Sequence, residues 1–291
     1  MYYILYAILY LFSILPLRVL YFISDGCYLL IYYILGYRKD VVMQNLLIAF
    51  PEKTVDERKR IAKNFYHLFI DSMIETIKLL SASDAFFEKR FTGNWELVDR
   101  FYKTGRSVQL HLGHNFNWEW GNVVLQKHIS YQFLGVYMPI KNKAMNRLFF
   151  KMRSRSGGKL LSAKNMAREF LPYRNEKYCL GFVADQNPGR ISNAVWVDFF
   201  NRKTAFTIGP AKNAIKYDTV VIFAHIIRLR RGYYEVTFSV AAQHPKETTD
   251  NALTEKFADY LENVIRNNPP MWLWSHRRWK RVWSGNTNLE I

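Results

Sequence analysis

The sequence is poor in cysteine, in acidic residues and in any pattern that would separate several domains. Its 291 residues include two cysteines, too few for a disulfide framework, which favours a reducing compartment. Lys and Arg number 41 against 24 Asp and Glu, and the formal charge of +17 indicates an anionic partner such as a phosphorylated lipid, a nucleic acid or an acidic carrier protein. No repeat, low-complexity tract or clear linker is present. With 49% hydrophobic residues the chain can bury a sizeable core, which excludes a disordered protein.

Charge is almost absent from the first 35 residues, where only Arg18 and Asp25 interrupt a run of mostly Tyr, Ile and Leu. No basic region precedes this run and no small-residue cleavage site follows it, so it lacks the features of a signal peptide. About 20 apolar residues are needed to cross a bilayer, and tyrosine is typical of the membrane–water boundary. We therefore predict a membrane-anchoring helix in residues 1–36 and one larger domain in residues 37–291.

Basic residues next to this anchor predict its orientation. Arg18, Arg38 and Lys39 lie on its C-terminal side, which favours a cytoplasmic position for the rest of the chain. A buried core helix is the alternative interpretation of the apolar run. The sequence leaves open whether the second apolar stretch, after Arg18, spans the membrane or lies on it.

Beyond residue 93, short apolar runs alternate with helical stretches, which is typical of an α/β sheet. The predicted strands are 107–112, 131–137, 178–184, 195–200 and a hairpin of 219–228 with 233–240. The predicted helices are 54–80, which opens with the capping box Thr54-Val55-Asp56-Glu57, a basic helix at 142–156, one that begins at Thr207-Ile208-Gly209-Pro210, and 249–267.

A histidine and a carboxylate follow the strand predicted at 107–112. A neutral imidazole takes up a proton well near neutral pH because its reference pKa is about 6.5. A carboxylate on the other ring nitrogen fixes the tautomer and stabilises the imidazolium that forms. We therefore predict that His114 is a general base and that Glu119 orients it, for transfer of an acyl group to a hydroxyl without a covalent enzyme intermediate. The alternative is a core histidine beside a surface acid.

Other candidate groups nearby have simpler interpretations. His111 and His114 form a His-x2-His pattern, but in a strand the two side chains point to opposite faces and no third ligand is close, so no metal site is predicted. Cys179 lies in the middle of a predicted strand, where we expect it to pack and not to act as a nucleophile.

A basic cluster near the end of the sequence is the predicted contact with a lipid or a carrier protein. Arg277, Arg278 and Lys280 suit lipid phosphates or an acidic helix. They alternate with tryptophans, a mixture that is typical of membrane interfaces: Trp272, Trp274, Trp279 and Trp283. A solvated basic tail is the alternative. Nucleic acid is disfavoured as a partner by the apolar N-terminus and by the lack of a nucleic-acid motif.

Several motifs occur in a fixed order along nearly the whole chain. They are Arg38-Lys39, Asn45-Leu46, Phe50-Pro51-Glu52, the His114-Asn115-Phe116-Asn117-Trp118-Glu119 segment, Arg153-Ser154-Arg155-Ser156-Gly157, Asp185-Gln186, Thr207-Ile208-Gly209-Pro210-Ala211 and Trp272-Leu273-Trp274-Ser275-His276-Arg277-Arg278-Trp279-Lys280. With these motifs the chain resembles the late (secondary) acyltransferases of lipid A biosynthesis, a bacterial family that includes relatives acting on other glycolipids.

The resemblance implies a glycerolphosphate-acyltransferase-like fold with a central mixed sheet flanked by helices. It implies an O-acyltransferase that uses an acyl-carrier-protein thioester, needs no cofactor, and acylates a phosphorylated glucosamine disaccharide lipid. The expected location is the bacterial inner membrane, with the catalytic domain facing the cytoplasm. An acyltransferase for a lysophospholipid or an aminolipid, and a non-catalytic lipid-binding protein of the same fold, are the alternatives.

The resemblance also assigns roles to residues. It implies His114 as the base and Glu119 as its orienting acid, and it implies that Arg153 and Arg155 contact the oxyanion or a phosphate. It implies supporting positions for Asn117, Trp118, Asp185 and Gln186. Three residues depart from the family pattern, and we expect them to alter acceptor or chain-length choice: Phe116 in place of glycine, Met138 in place of arginine and Asn187 in place of an acid.

Overall fold

The computed structural model describes residues 2–285, so the predicted limits at residues 1 and 291 lie outside the described residues. The strands are β1 Phe91–Gly93, β2 Val108–Leu112, β3 Gln132–Tyr137, β4 Lys159–Ser162, β5 Tyr178–Val183, β6 Ala194–Asp198, β7 Lys203–Thr207, β8 Val220–Arg230 and β9 Tyr233–Ala242. The α-helices are α1 Tyr2–Ile14, α2 Leu17–Leu29, α3 Lys39–Ala49, α4 Val55–Ile77, α5 Asp84–Glu88, α6 Glu96–Lys103, α7 Trp118–His128, α8 Lys143–Arg153, α9 Met166–Phe170, α10 Gly209–Tyr217 and α11 Asp250–Asn267.

Seven strands form the central sheet in the order β1-β9-β8-β2-β5-β3-β4. Neighbouring strands are parallel except for the β8–β9 hairpin, which turns at Gly232 with a φ of +76° that glycine adopts without strain. Strands β6 and β7 form a separate antiparallel pair. The prediction of an α/β fold with a central mixed sheet flanked by helices is confirmed.

The longer predicted elements are found close to their expected limits. Helix α4 starts with the predicted capping box, in which the Thr54 side chain accepts from the Glu57 amide and the Glu57 carboxylate accepts from the Thr54 amide at 2.7 Å. Strands β1, β4 and β7 were not predicted. They have three to five residues, too few to establish a period against their flanking loops.

Strand β2 lies inside the sheet and is buried on both faces, as expected of an interior parallel strand. Leu110 belongs to the core beneath α7, whereas His111 packs against Phe257 of α11 with ring centroids 5.7 Å apart. Burial lowers the pKa of His111 to about 3, so it is a neutral core residue. Among residues 2–285, no group of three or more His, Cys, Asp or Glu side chains could hold a metal ion.

The apolar N-terminal segment forms two helices, separated at Pro16 and not at Arg18. Helix α2 continues into one π-helical turn, Leu30–Ile34. The stretch Leu17–Ile34 has a mean hydropathy of 1.3 and is long and apolar enough to cross a membrane by length and composition alone. Both helices also pack on the rest of the protein, α1 against α8 and α2 against α4.

Candidate active site

The register of two parallel strands brings the histidine of the predicted site to a distant aspartate. In the sheet Leu112 of β2 lies beside Val183 of β5. His114 and Asp185 each follow these partners by two residues, at the carboxyl ends of their strands. Because parallel strands end at the same edge of a sheet, the two side chains emerge together.

His114 and Asp185 form a hydrogen-bonded dyad. His114 Nδ1 lies 2.5 Å from Asp185 Oδ1, and the His114 backbone amide donates to Asp185 Oδ2 at 2.8 Å. The indole of Trp272 donates to the same Oδ2 at 2.7 Å. The Gln186 amide nitrogen lies 3.1 Å from His114 Nε2. With Nδ1–H donated to Asp185, Nε2 is left as the acceptor that a general base requires.

The electrostatics of Asp185 favour its ionised form. Burial alone would raise the pKa of this carboxyl, but the positive charge of His114 and the hydrogen bonds from His114 and Trp272 lower it to about 2. An acid that remains ionised at neutral pH can hold the imidazole and stabilise the imidazolium.

We expect Asp185 to make the stability of the protein depend on acid pH. Its pKa of about 2 in the folded protein lies below the value of about 3.9 for an unfolded chain. Its contribution of about 2–3 kcal/mol is therefore present above pH 4 and is lost as the pH falls from 4 towards 2. The unfolding free energies of the wild type and Asp185→Asn, measured in detergent from pH 7 to pH 3, should draw closer below pH 4, with part of their difference remaining at pH 3. A difference that stays constant down to pH 3 would contradict this linkage.

The predicted orienting acid, Glu119, does not contact the His114 ring, and this is a correction of the sequence prediction. Glu119 accepts from Arg153 Nε at 2.9 Å and from Nη2 at 2.6 Å, and from the Trp118 indole at 3.1 Å. Asn117 caps α7, so Glu119 falls in the first turn of that helix and faces the end of α8, where Arg153 lies. The carboxylate bound to the imidazole is that of Asp185, which follows the neighbouring strand β5, and not that of Glu119, which is close in sequence.

The two arginines of the basic motif have different surroundings. Arg153 lines the cavity beside His114, as expected of a group that meets an oxyanion or a phosphate. Ion pairing with Glu119 raises its pKa, although burial opposes this. Arg155 instead donates to the backbone carbonyls of Leu79 and Ala82 at 2.7 and 2.8 Å. Arg155 does not line the cavity, and its guanidinium holds the segment after α4 to the end of α8. Its contact with an oxyanion or a phosphate stays a prediction.

The supporting residues occupy positions close to the dyad. The Trp118 ring lies edge-on to His114, with centroids 5.3 Å apart. Asn117 donates to the buried carboxylate of Glu75 at 2.7 Å, and Glu75 also accepts from Tyr234 at 2.7 Å. Sequence reasoning missed Glu75, and the only signal was a carboxylate on the apolar face of α4.

The tryptophans of the C-terminal signature are mostly interior, which corrects the prediction that they lie at a membrane interface. The contact of the exposed Arg277 and Lys280 with a lipid or a carrier protein stays a prediction. Trp272, Trp274 and Trp279 are buried, and only Trp283 among the four predicted interface tryptophans is exposed. Their large apolar rings pack edge to face in the core, with Trp272 and Trp274 centroids 4.8 Å apart. Asn45 fixes this segment by donating to the Trp274 carbonyl at 2.7 Å.

Arg278 is also buried, whereas Arg277 and Lys280 are exposed. The Arg278 guanidinium lies 4.2 Å from the centroid of the Phe206 ring and donates to the Asn187 side chain at 3.2 Å. Burial lowers its pKa to about 9, which the charge of Asp185 partly opposes. Arg278 therefore supports the turn after Asp185 from inside the protein and is not available to a partner at the surface.

The three departures from the family pattern are found at the site or just behind it. Phe116 is fully buried against Phe65 and Phe69, so it leaves the imidazole uncrowded. Asn187 and Met138 both line the cavity. Met138 is also exposed, which places it at the cavity rim.

A cavity of about 630 Å³ opens beside the dyad. Its polar end contains His114, Glu119, Arg153, Gln186 and Asn187. Its apolar part runs across the sheet beneath α7 and is lined by Leu110, Leu112, Ala224, Ile226, Val236, Phe238 and Trp95. A polar centre next to a long apolar groove suits a substrate with one reactive head and a hydrocarbon tail.

Comparison with known proteins identifies the family. A family profile described as bacterial lipid A biosynthesis acyltransferase matches residues 1–281. The chain belongs to this family. It is 24% identical over 287 residues to the lipid A biosynthesis palmitoleoyltransferase of Escherichia coli, covering 98% of this chain and 92% of that protein. The lipid A biosynthesis acyltransferase of Shigella flexneri gives the same values. One from Haemophilus influenzae is 24% identical over 250 residues, covering 84% of this chain and 78% of that relative.

Family membership makes the protein an acyltransferase of lipid A synthesis, and the resemblance seen in the sequence motifs is confirmed. The structure shows where the sequence motifs of this lipid A acyltransferase lie. The histidine, the aspartate, the glutamate–arginine pair and the buried tryptophan signature all meet at the carboxyl edge of the sheet.

Proposed function

We propose that this protein transfers a fatty acyl chain from an acyl-carrier-protein thioester to a hydroxyl of a lipid A precursor. The observation that carries the proposal is the His114–Asp185 dyad at the polar end of the apolar cavity. An imidazole with an unprotonated Nε2, placed beside a groove for a hydrocarbon chain, suits attack of a hydroxyl on an acyl thioester.

The proposed reaction needs no covalent enzyme intermediate and no cofactor. The hydroxyl proton passes to His114 Nε2 as the hydroxyl oxygen attacks the thioester carbonyl carbon. The imidazolium that forms is stabilised by Asp185 across the 2.5 Å contact. Collapse of the tetrahedral intermediate breaks the carbon–sulfur bond, and the departing thiolate takes the proton back from Nε2. The products are the new ester and the free carrier thiol.

Arg153 is the group proposed to face the developing negative charge. Its guanidinium lines the cavity near His114, and Glu119 holds two of its nitrogens from the other side. A fixed cation in a water-poor site stabilises an oxyanion more than a mobile one would. The same guanidinium suits a phosphate of the acceptor.

We expect the groove beneath α7 to select the acyl chain by length. Ala224→Leu should lower kcat/KM for the longest accepted chain at least tenfold, because each buried methylene contributes about 0.8 kcal/mol. Ile226→Ala should shift the preference to longer chains. Transfer rates with a series of acyl donors measure both effects. Ile222→Ala is the matched control, since Ile222 is buried in the same strand without lining the cavity. An unchanged chain preference in all three variants would place the acyl chain elsewhere.

The membrane and the carrier protein are proposed from charge and surface chemistry. The formal charge of +17 would attract both a phosphorylated lipid and an acidic carrier. The apolar N-terminal helices favour the bacterial inner membrane, with the catalytic residues on the cytoplasmic side.

Mass spectrometry of lipid A from strains with and without the gene tests the acceptor. Loss of one acyl chain in the deletion strain, restored by the wild-type gene and not by His114→Ala, is the expected result. An intact lipid A with an altered phospholipid or aminolipid would point to the other acceptors. If the purified protein transferred no acyl chain from any thioester donor in vitro, the result would favour the non-catalytic lipid-binding protein.

A further inference from the structure

The N-terminal helix that meets the length requirement for a membrane span is bound along its polar side to the catalytic domain. Ser24 donates to the Asp71 carboxylate at 2.6 Å, and Tyr21 donates to Glu75 at 2.7 Å. The Tyr28 ring stacks on His67 with centroids 3.5 Å apart. As residue numbers rise along α2, those of the partners on α4 fall. The two helices therefore run antiparallel and in contact over about two turns.

The middle of this helix is also tied to the central sheet. Asp25 lies halfway along Leu17–Ile34 and pairs with Arg231, at 2.6 and 3.1 Å. Arg231 sits at the β8–β9 turn and reaches Asp71 of α4 as well, at 2.6 and 3.0 Å. If Leu17–Ile34 crossed a bilayer, this hairpin turn and three charged groups would lie near mid-depth.

Such a placement is costly. A charged side chain at the bilayer centre is strongly disfavoured, and turn backbone exposed to hydrocarbon leaves hydrogen-bonding groups without partners. The opposite side of the same helices has no such polar contacts. Large apolar side chains are exposed there: Tyr3, Ile4, Ile8, Leu11, Phe12, Val19, Phe22, Leu29, Leu30, Ile34 and Leu35, with Phe22 81% and Ile34 76% exposed.

Basic side chains lie at the margin of this apolar face. Helix α1 packs on α8, where Arg147 lies 4.2 Å from the centroid of the Tyr2 ring and Lys151 lies 4.5 Å from that of Tyr6. Arg147 and Lys151 are both exposed, as is Lys143 at the start of α8. An apolar face bordered by cations complements an anionic bilayer surface, to which each Lys or Arg near the surface is attracted.

The same face leads to the cavity. Phe150 lies between Arg147 and Lys151 on α8 and is exposed, and its ring lies 6.2 Å from the Tyr137 ring, centroid to centroid. Tyr137 and the exposed Met138 line the cavity beside the dyad. A lipid held in the bilayer next to this face would meet the cavity without leaving the membrane.

We propose that α1 and α2 lie side-on in one leaflet of an anionic bilayer and do not cross it. The proposal rests on the proposed membrane site of action but not on the proposed chemistry. It commits both ends of the Leu17–Ile34 stretch to the same side of the membrane as the catalytic domain.

Cysteine labelling with a membrane-impermeant maleimide tests the topology. In a Cys27→Ser background, a short Cys-Gly-Ser insertion before Tyr2 reports the N-terminal side, and Asn175→Cys, in an exposed turn before β5, reports the catalytic domain. In right-side-out and inside-out membrane vesicles, the inserted cysteine should never react from the side opposite to Asn175→Cys, although it reacts in detergent. Reaction from the opposite side would mean that Leu17–Ile34 crosses, whatever the activity of the protein.

A second measurement tests the face itself. Partition of purified protein into phosphatidylethanolamine vesicles containing phosphatidylglycerol should fall at least about tenfold for the double variant Phe22→Asp/Ile34→Asp, because two exposed apolar contacts with lipid are lost. Leu171→Asp, an exposed leucine before β5, is the matched control and should bind as the wild type does. Equal binding by the double variant, with its thermal unfolding unchanged, would overturn the proposed lipid face.

Discussion

Asp185→Asn is expected to lower kcat by about 10³- to 10⁴-fold with little change in overall structure. Two N–H donors, from the His114 backbone and the Trp272 indole, point at Asp185 Oδ2. An asparagine would turn its carbonyl oxygen towards those donors and its NH2 group towards His114 Nδ1. The ring would then keep its proton on Nε2, where it cannot accept one from the acceptor hydroxyl. Transfer kinetics with an acyl thioester donor measure the loss.

His114→Ala should be at least as damaging, and the double variant should be no worse than His114→Ala alone, because the two residues act as a unit. Asp198→Asn is the matched control. Asp198 is a surface carboxylate, 70% exposed and paired with Lys203, and its substitution should leave kcat unchanged. Near-normal activity of a folded Asp185→Asn protein would remove the dyad from the mechanism.

Arg153→Met is the substitution with the next largest expected effect, a loss of about 10²- to 10³-fold in kcat/KM. The variant removes the cation beside the dyad and leaves the Glu119 carboxylate without its two charge-assisted bonds. Glu119→Gln should be milder, because Arg153 would remain in the cavity but less firmly held. The combination should show strong non-additivity, since both changes break the same pair. Steady-state kinetics of the wild type, the two single variants and the double variant complete this double-mutant cycle.

Arg155→Met supplies a control two residues away. Arg155 bonds backbone carbonyls, so its loss should lower stability by about 1–3 kcal/mol and leave kcat close to that of the wild type. The opposite pattern, with Arg155→Met inactive and Arg153→Met active, would contradict the site. If Glu119→Gln lost the activity expected to be lost in Asp185→Asn, and Asp185→Asn were nearly normal, Glu119 would be the residue that orients His114.

Local patterns predicted the fold well where they were long. The alternation of apolar runs and helical periods gave β2, β5, the β8–β9 hairpin and α11 within one or two residues, because burial imposes a period that the sequence displays. The anchor was harder to interpret. Its composition satisfies a membrane span, but the partner of Asp25 is Arg231 of the hairpin, which also binds Asp71 of α4, and these contacts argue for a side-on position.

The candidate site was likewise only partly predictable from the sequence. His114 was identifiable as the candidate base, since its motif is a continuous segment after a strand. The carboxylate that binds it was not identifiable, because Glu119 lies five residues away in sequence whereas Asp185 lies 71 residues away. Only the pairing of Leu112 with Val183 shows that Asp185 is the acid next to His114 in space. Three tryptophans of the C-terminal signature were wrongly predicted to lie at a membrane interface. A mixture of Trp and Arg has the same composition in a core as at an interface, so composition could not separate the two.

The sequence by itself determined the family, the α/β class and the candidate base, because these depend on composition, period and contiguous motifs. Tertiary structure decided which carboxylate holds the imidazole, which arginine faces the cavity and which side of the first helices is polar. Those outcomes depend on strand register and on helix packing, which join residues that no local pattern connects.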